Sequence, residues 1–294
     1  MPQDAADPDL SYAAYFDHPV QRAVVRAVEH VSGQPKIKRL YDQYRRELAH
    51  DTPFWDAAMR LLELDVQFSA SHLAQIPKQG PLVVVANHPF GVLDGLTICW
   101  IVSLVRPDFK ILTNAVLMEA PEVRDYLLPI DFAETKEAQT TNIVTRKESM
   151  DILKTGGCII VFPAGGVSTA PSPFRAAIDD VWKPFTAKLI TGSGANVTPI
   201  YFEGQNSRLF QWVSPISMSL RLALIFREVK RRMGKTMNVH IGETLTPEAL
   251  ANAGKRAELM AFLRNSTYSL APEKWQRRIA KAETSAARKA EKTS

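Results

Sequence analysis

Residues 81–95 read Pro81-Leu82-Val83-Val84-Val85-Ala86-Asn87-His88-Pro89-Phe90-Gly91-Val92-Leu93-Asp94-Gly95. The first six are apolar without alternation, which is typical of a strand that is buried on both faces by covering helices. Polar and turn-forming residues follow Ala86, so a turn ends that strand. The segment predicts a buried strand, a turn and the beginning of a helix, which is a unit of an α/β sheet.

The chain after residue 80 repeats this alternation of short apolar runs and helical patterns. Strand candidates are 81–86, 109–113, 128–131, 157–162, 196–202 and 237–242. Helix candidates are 95–105, 137–154, 178–191, 214–233 and 247–269. The order predicts an α/β fold with a mixed, largely parallel central sheet flanked by helices.

The first 78 residues differ from the rest because their apolar residues recur at helical spacing, for example at Val20, Val24 and Val28. We expect three segments: an N-terminal helical hairpin or cap at 1–78, the α/β domain at 79–272, and a basic, flexible tail at 273–294. The hairpin is expected to pack on the main domain, and docking to a membrane is its alternative role.

Composition limits the classes of function. The formal net charge of +5 suits anionic partners such as lipid headgroups or acyl carriers, and is too modest to indicate nucleic-acid binding. Cys99 and Cys158 lie in apolar segments, which predicts buried free thiols rather than a disulfide, so the cysteines do not indicate an oxidising compartment. No Cys/His cluster or His-Glu-x-x-His motif indicates a metal site.

The sequence predicts no membrane span and no signal peptide. Residues 95–105 form the longest apolar run, which is shorter than the about 20 residues that cross a bilayer. The amino terminus lacks the positive region and apolar core of a signal peptide. We therefore expect a cytoplasmic protein, either soluble or resting on a membrane surface.

The turn after the first strand carries a histidine and an aspartate. Pro89 favours an extended backbone at His88, and Gly91 permits a turn that folds the imidazole towards Asp94 at the beginning of the next helix. Such a carboxylate would hold one ring nitrogen and leave the other to accept a proton, which suits acyl transfer to a hydroxyl or an amine. The alternative is an ordinary turn residue beside a helix N-cap.

Two further loops follow apolar strands, and binding sites in α/β sheets gather at such strand ends. Residues 162–169 contain adjacent glycines, which let a backbone approach an anion or oxyanion, although a plain glycine turn is the alternative. Residues 198–207 end in a polar group in which Glu203, Asn206 and Ser207 would line a pocket or support its walls.

Together, in this order, the three loops resemble the glycerolipid acyltransferase superfamily. The closer likeness is to its bacterial branch of hemolysin-like, ornithine-lipid-type acyltransferases. The first motif of that branch reads Asn-His-Pro-x-Gly-x-x-Asp-Gly, as residues 87–95 do. The likeness covers roughly residues 80–210.

The resemblance implies that His88 is the general base and that Asp94 orients it. The acceptor would be the hydroxyl of a lysophospholipid or lyso-ornithine-type lipid. The co-substrate would be acyl-CoA or acyl-carrier protein, with no cofactor and no acyl-enzyme. Because such an acceptor lies in a bilayer, the protein is expected to be cytoplasmic and bound peripherally to the inner face of the cell membrane. Substrate-binding residues are expected at Asn87, Pro89, Phe90, Gly91, Gly95, Pro163, Ala164, Gly165, Gly166, Ser168, Glu203 and Asn206.

The chain departs from the superfamily pattern in two ways. Five residues separate His88 from Asp94, as in the bacterial branch, where the best-known members have four. The Glu-Gly-Thr-Arg that often follows Phe-Pro is replaced by residues 164–167, Ala-Gly-Gly-Val. The loss of that arginine argues against lysophosphatidic acid and favours another lysolipid or an acylated amino-acid lipid. Arg175 and Lys183 are candidate substitute cations or ordinary surface residues.

Two other functions remain open on this sequence. A lipid or thioester hydrolase would need a serine nucleophile, and no Gly-x-Ser-x-Gly elbow occurs. A non-catalytic lipid-binding protein on the same fold would explain the altered glycine loop. Separately, the apolar residues before Arg227 predict either an interfacial helix or a core helix with a basic end.

Overall fold

A seven-stranded sheet lies at the centre of the computed structural model, which describes residues 18–114, 120–130, 136–172, 174–216 and 218–291, with Ser11 and Ala13. In those residues the strands are β1 (Asp65–Gln67), β2 (Leu82–Ala86), β3 (Phe109–Asn114), β4 (Leu127–Ile130), β5 (Cys158–Val161), β6 (Asn196–Phe202) and β7 (Thr236–Ile241). Their order is β1-β7-β6-β2-β5-β3-β4.

The sheet is largely parallel, and its direction reverses once. Strands β6, β2, β5, β3 and β4 are parallel neighbours, whereas β7 runs antiparallel to β6 and carries β1 parallel to itself at the edge. The predicted fold class, a mixed and mostly parallel sheet flanked by helices, is confirmed.

Helices cover both faces of this sheet. They are α1 (Pro19–Ser32), α2 (Gln34–Gln43), α3 (Phe54–Leu61), α4 (Ala70–Ala74), α5 (Val92–Ser103), α6 (Pro121–Arg124), α7 (Lys136–Lys154), α8 (Phe185–Ser193), α9 (Arg208–Val213), α10 (Met218–Ala223), α11 (Ile225–Arg232), α12 (Pro247–Ala251), α13 (Arg256–Ser269) and α14 (Glu273–Glu291). A π-helical turn, Tyr44–Leu48, extends α2. No described helix combines the length and the apolar character that crossing a membrane requires.

Strand β2 shows why the central run is apolar without alternation. Leu82, Val84 and Ala86 pack in a core that includes residues of α3 and α5. Val83 and Val85 pack on the opposite face in a core that includes residues of α8 and α13. Every residue of the strand is buried, and a valine or leucine side chain contributes about 1.5–3 kcal/mol when it is fully buried. The strand is therefore a rigid support for the loop that follows it.

Three helix predictions were wrong in their extent. The helix expected at 178–191 begins only at Phe185, after Pro184, and residues 178–184 are not helical. One helix was expected at 214–233, where α10 and α11 are found. One helix was also expected at 247–269, where α12 and α13 are found; these two are separated by a turn that contains Gly254, which has a φ of +84°. The helical reading of the N-terminal segment also missed β1, which pairs with β7.

The apolar side of α11 faces the core, because Ile225, Phe226 and Val229 are buried there. The interfacial-helix reading of this stretch was therefore wrong, and a core helix with a basic end is present. The predicted tail forms α14 through residue 291, with Ile279 and Ala282 buried. Four predictions include residues that the structure does not describe. These residues are 1–10, 12 and 14–17 of the N-terminal segment, 131 of the strand expected at 128–131, 217 of the helix expected at 214–233, and 292–294 of the tail.

Candidate active site

The three loops predicted from the sequence follow neighbouring strands. Strand β2 lies between β5 and β6 and is parallel to both, so the carboxyl ends of all three meet at one edge of the sheet. The loop after β2 (residues 87–95, the middle loop) consequently lies between two others. The glycine loop after β5 (residues 162–169) is on one side, and the polar loop after β6 (residues 203–207) is on the other. Ligands of α/β sheets bind at such an edge.

His88 and Asp94 come together in the middle loop. Gly91, with a φ of +76°, precedes α5, and Asp94 lies in the first turn of that helix with no exposed surface. Asp94 Oδ2 accepts hydrogen bonds from the backbone N–H groups of Phe90 at 2.7 Å and Gly91 at 3.0 Å. His88 Nδ1 lies 3.1 Å from the same oxygen, although its N–H direction falls outside hydrogen-bond geometry. Such contacts often tighten only when substrate binds.

The imidazole of His88 is held by its surroundings. It stacks on the ring of Phe162 with centroids 3.9 Å apart and 24° between the planes, and 17% of the side chain remains exposed. The backbone N–H of His88 donates to Asp179 Oδ1 at 3.2 Å, and its carbonyl accepts from the N–H of Ser168 at 2.8 Å. The ring is therefore fixed against one neighbouring loop and still reachable.

Burial raises the pKa of Asp94, and the contact with His88 and the two backbone N–H groups oppose that rise. The guanidinium of Arg232 lies over the Phe90 ring, 4.4 Å from its centroid, and its positive charge attracts the negative charge of the Asp94 carboxylate. Asp94 Oδ1 has no hydrogen-bond partner among the described residues. The carboxylate is thus kept in an apolar site by a few aligned donors.

Asp179 was not predicted from the sequence as a site residue, and it joins the middle loop to the glycine loop. Its Oδ1 accepts from His88 N–H and from Ser168 Oγ at 2.5 Å, and its Oδ2 accepts from Trp182 Nε1 at 3.0 Å. Burial raises the pKa of Asp179, which these donors oppose. The expected helix at 178–191 hid this residue, because an aspartate at a helix beginning has an ordinary capping explanation.

The glycine loop exposes its backbone at Gly166, while Gly165 makes the turn with a φ of +74°. Arg221 of α10, also missed from the sequence, donates through Nη2 to the carbonyl of Val167 at 2.5 Å. Arg175 and Lys183, the substitute cations considered above, are exposed. The hydroxyl of Ser168, expected to bind substrate, is occupied by Asp179.

Two other predicted substrate-binding side chains also bind protein. Asn87 donates to the carbonyl of Phe202 at 3.0 Å and accepts from its N–H at 2.7 Å, which joins β2 to β6. Glu203 accepts hydrogen bonds from Trp275 Nε1 at 2.8 Å and from Asn238 Nδ2 at 3.3 Å. These contacts give both residues a structural explanation.

The other residues that were predicted to bind substrate differ in how much of their surface is exposed. Gly95, Gly165 and Gly166 are at least partly exposed, and those that are buried are Pro89, Phe90, Gly91, Pro163, Ala164 and Asn206. Asn206 keeps its amide nitrogen and oxygen without a hydrogen-bond partner in the described part of the chain. That part also holds no cluster of three or more His, Cys, Asp or Glu side chains suited to a metal ion.

Comparison with known proteins gives a consistent set of relatives. A family model described as Acyltransferase matches residues 36–274. Lyso-glycine lipid O-acyltransferase of Phocaeicola vulgatus is 25% identical over 260 residues, covering 85% of this chain and 88% of that protein. The protein of the same name from Bacteroides thetaiotaomicron is 23% identical over 259 residues, covering 85% and 91%.

A solved structure also resembles this fold. The 1-acyl-sn-glycerophosphate acyltransferase of Thermotoga maritima covers 88% of this chain and 83% of its own, with 16% identity and a TM-score of 0.48.

Proposed function

The chain belongs to the acyltransferase family matched over residues 36–274, and from this premise we propose that it transfers a fatty acyl group from a thioester to the hydroxyl of a lyso-amino-acid lipid. Membership of the family, within the glycerolipid acyltransferase superfamily, makes it an acyltransferase. Two relatives named for a lyso-glycine lipid support this acceptor class. The absence of Glu-Gly-Thr-Arg at residues 164–167 also fits an acceptor other than lysophosphatidic acid.

The proposal rests above all on the His88–Asp94 contact at the sheet edge. With Nδ1 3.1 Å from Asp94 Oδ2, the other ring nitrogen, Nε2, is the one to accept the proton of the acceptor hydroxyl. The oxygen then attacks the thioester carbonyl carbon, and the tetrahedral oxyanion collapses with loss of the thiolate. His88 returns its proton to that thiolate, so the enzyme ends as it began. Asp94 stabilises the imidazolium between the two transfers.

The glycine loop is proposed to carry the second part of the chemistry. Gly166 is exposed and has no side chain, so a reacting carbonyl can approach the backbone closely. Backbone N–H groups in such a turn stabilise a developing oxyanion. The hydrogen bond from Ser168 N–H to the His88 carbonyl, 2.8 Å long, keeps this loop beside the base.

Acyl transfer is tested by measuring thiol release from acyl-CoA and from acyl-carrier protein, each with and without a lyso-glycine or lyso-ornithine lipid. We expect release that depends on the acceptor and stops in His88→Ala, while His72→Ala, a change at an exposed histidine on α4, keeps wild-type turnover. Wild-type turnover by His88→Ala would refute the proposal.

The same assay separates the competing functions. Thiol release without an acceptor, accompanied by free fatty acid, would identify a hydrolase. Binding of the lysolipid without turnover of either donor would identify a lipid-binding protein. The donor that supports the higher kcat/KM identifies the carrier.

We further propose that the protein docks on an anionic bilayer through an apolar patch formed by Phe174, Leu209, Trp212 and Ile216. The last three recur at i, i+3 and i+7 along and just beyond α9, and Trp212 and Ile216 are 54% and 80% exposed. The guanidinium of Arg208 lies 5.4 Å from the Phe174 ring centroid, so a cation accompanies the apolar surface. A tryptophan in an apolar patch that an arginine contacts suits the interface of a negatively charged membrane.

Docking is tested by flotation with vesicles that contain phosphatidylglycerol, and with neutral vesicles as comparison. Trp212→Ser with Ile216→Ser should abolish binding, whereas Ile143→Ser with Val144→Ser, an equally exposed apolar pair on α7, should not. Equal binding by the two double variants would exclude the patch.

A further inference from the structure

A partly buried arginine, Arg221, lies against the glycine loop and pairs with no carboxylate of the described residues. Arg221 donates to the carbonyl of Val167, and its Nη2 is 3.7 Å from the place that a β-carbon on Gly166 would take. No described carboxylate lies within ion-pair distance of its guanidinium. Burial lowers the pKa of Arg221, so the positive charge costs free energy where it lies.

The placement of Arg221 is tied to the base by short contacts. Val167, whose carbonyl it holds, has a methyl group 3.2 Å from the place that a β-carbon on Gly91 would take. The next residue, Ser168, bonds through its N–H to the carbonyl of His88. A group bound at Arg221 is therefore held at a fixed offset from the imidazole.

We propose that Arg221 and the exposed backbone of Gly166 form the headgroup subsite of the acceptor, where the guanidinium binds a carboxylate. This inference rests on the proposed function, because it assigns the headgroup class of that same acceptor. An amino acid acylated on its nitrogen keeps a free carboxylate, and a guanidinium binds a carboxylate through two parallel hydrogen bonds. The glycine at 166 leaves space for that group beside the arginine.

Other cations near the loop fit this role less well. Arg175 is exposed, so water screens its charge. Arg232 lies over Phe90, and its charge acts on Asp94 within the protein. Arg221 combines partial burial with contact to the loop, which is where an ionic hydrogen bond contributes most.

Equilibrium binding tests the subsite without turnover. The dissociation constants of a lyso-glycine lipid and of its methyl ester are measured for wild type, Arg221→Gln and Arg175→Gln with no acyl donor present. Wild type should bind the acid more tightly than the ester. Arg221→Gln should weaken binding of the acid by about ten- to a hundredfold, as loss of a charged hydrogen bond does, and change binding of the ester less than about threefold. Arg175→Gln should leave both dissociation constants unchanged.

Two results would overturn the inference. In the first, Arg221→Gln still binds the acid more tightly than the methyl ester, as wild type does. In the second, wild type itself binds the acid no more tightly than the ester. Unchanged ester binding shows that the variant has kept its fold, so a lost preference is not a folding defect. Failure of the proposed acyl transfer gives a different result: both ligands bind with the expected preference, and no thioester is consumed.

Discussion

Replacing Asp94 by asparagine removes one charge from the site and leaves its shape. The amide oxygen of Asn can still accept the N–H groups of Phe90 and Gly91, which lie 2.7 and 3.0 Å from Oδ2. What is lost is the attraction between the carboxylate and the imidazolium that forms when His88 takes up a proton. Two unit charges 3.1 Å apart attract by about 5 kcal/mol at the effective dielectric constant of about 20 that suits protein sites.

That energy sets the expected fall in rate. Fully expressed in the transition state, about 5 kcal/mol corresponds to nearly four orders of magnitude in kcat, since each 1.36 kcal/mol is tenfold. Proton transfer that is half complete would express about half of it. We therefore expect kcat of Asp94→Asn to fall by between about 10² and 10⁴, measured as acceptor-dependent thiol release. Asp151→Asn, an exposed carboxylate on α7, should stay within about twofold because such a charge is screened.

Stability should change in the opposite direction. Because burial raises the pKa of Asp94, the folded state holds its proton more tightly than the unfolded state does. The ionised carboxylate therefore costs stability at neutral pH, and this cost disappears as the pH falls through the raised pKa. Asp94→Asn should unfold at equal or higher urea concentration than wild type at pH 7, and this difference should shrink in acid.

The rate prediction for Asp94→Asn has its own refutation. A kcat within about tenfold of wild type would show that the Asp94 charge does little to stabilise the imidazolium of His88.

Three other outcomes are expected from contacts outside the base and its carboxylate. Arg106→Met should lower the free energy of unfolding in urea by about 3 kcal/mol, because the buried guanidinium pairs with Asp108 and holds three backbone carbonyls. Arg106 lowers the pKa of Asp108, so the ionised carboxylate stabilises the folded state. Wild type should therefore have a higher free energy of unfolding than Asp108→Asn above about pH 4, and this difference should disappear as the pH falls through the lowered pKa of the folded state. The same difference at about pH 2 as at neutral pH would contradict this explanation. Gly204→Ala should cost about 1–3 kcal/mol in thermal unfolding, because the new β-carbon would lie 2.5 Å from Cζ of Phe90 at a φ of +132°, and Phe90→Leu should recover part of that loss.

Much of the fold was predictable because strands of a parallel sheet that are buried on both faces are continuous apolar runs in the sequence. Strand β2 is apolar at every position, and both of its faces are buried. Its neighbours in the sheet, β5 and β6, carry similar runs, so all three strands were predicted within one residue at each end. Strand β1 was missed because three residues with an exposed–intermediate–exposed pattern carry no such signal; only its pairing with β7 defines it.

The candidate site divides in the same way. His88 and Asp94 lie within one turn, so their contact followed from local chemistry. Asp179 and Arg221 reach the site from positions 91 and 54 residues away from their partners, and such contacts have no signature in a single sequence. Asn87 and Glu203 were taken as ligand contacts because their positions after strands suit binding, whereas both hold neighbouring elements together.

The edge strand β1 has a consequence for how the chain folds during synthesis. Asp65 and Thr236 are partners across that edge, and 171 residues separate them along the chain. At translation rates of roughly 5–20 residues per second, the first partner waits about 10–30 s for the second to leave the ribosome. Strand β1 therefore joins the sheet late, because its partner β7 is the last strand of the sheet to be synthesised.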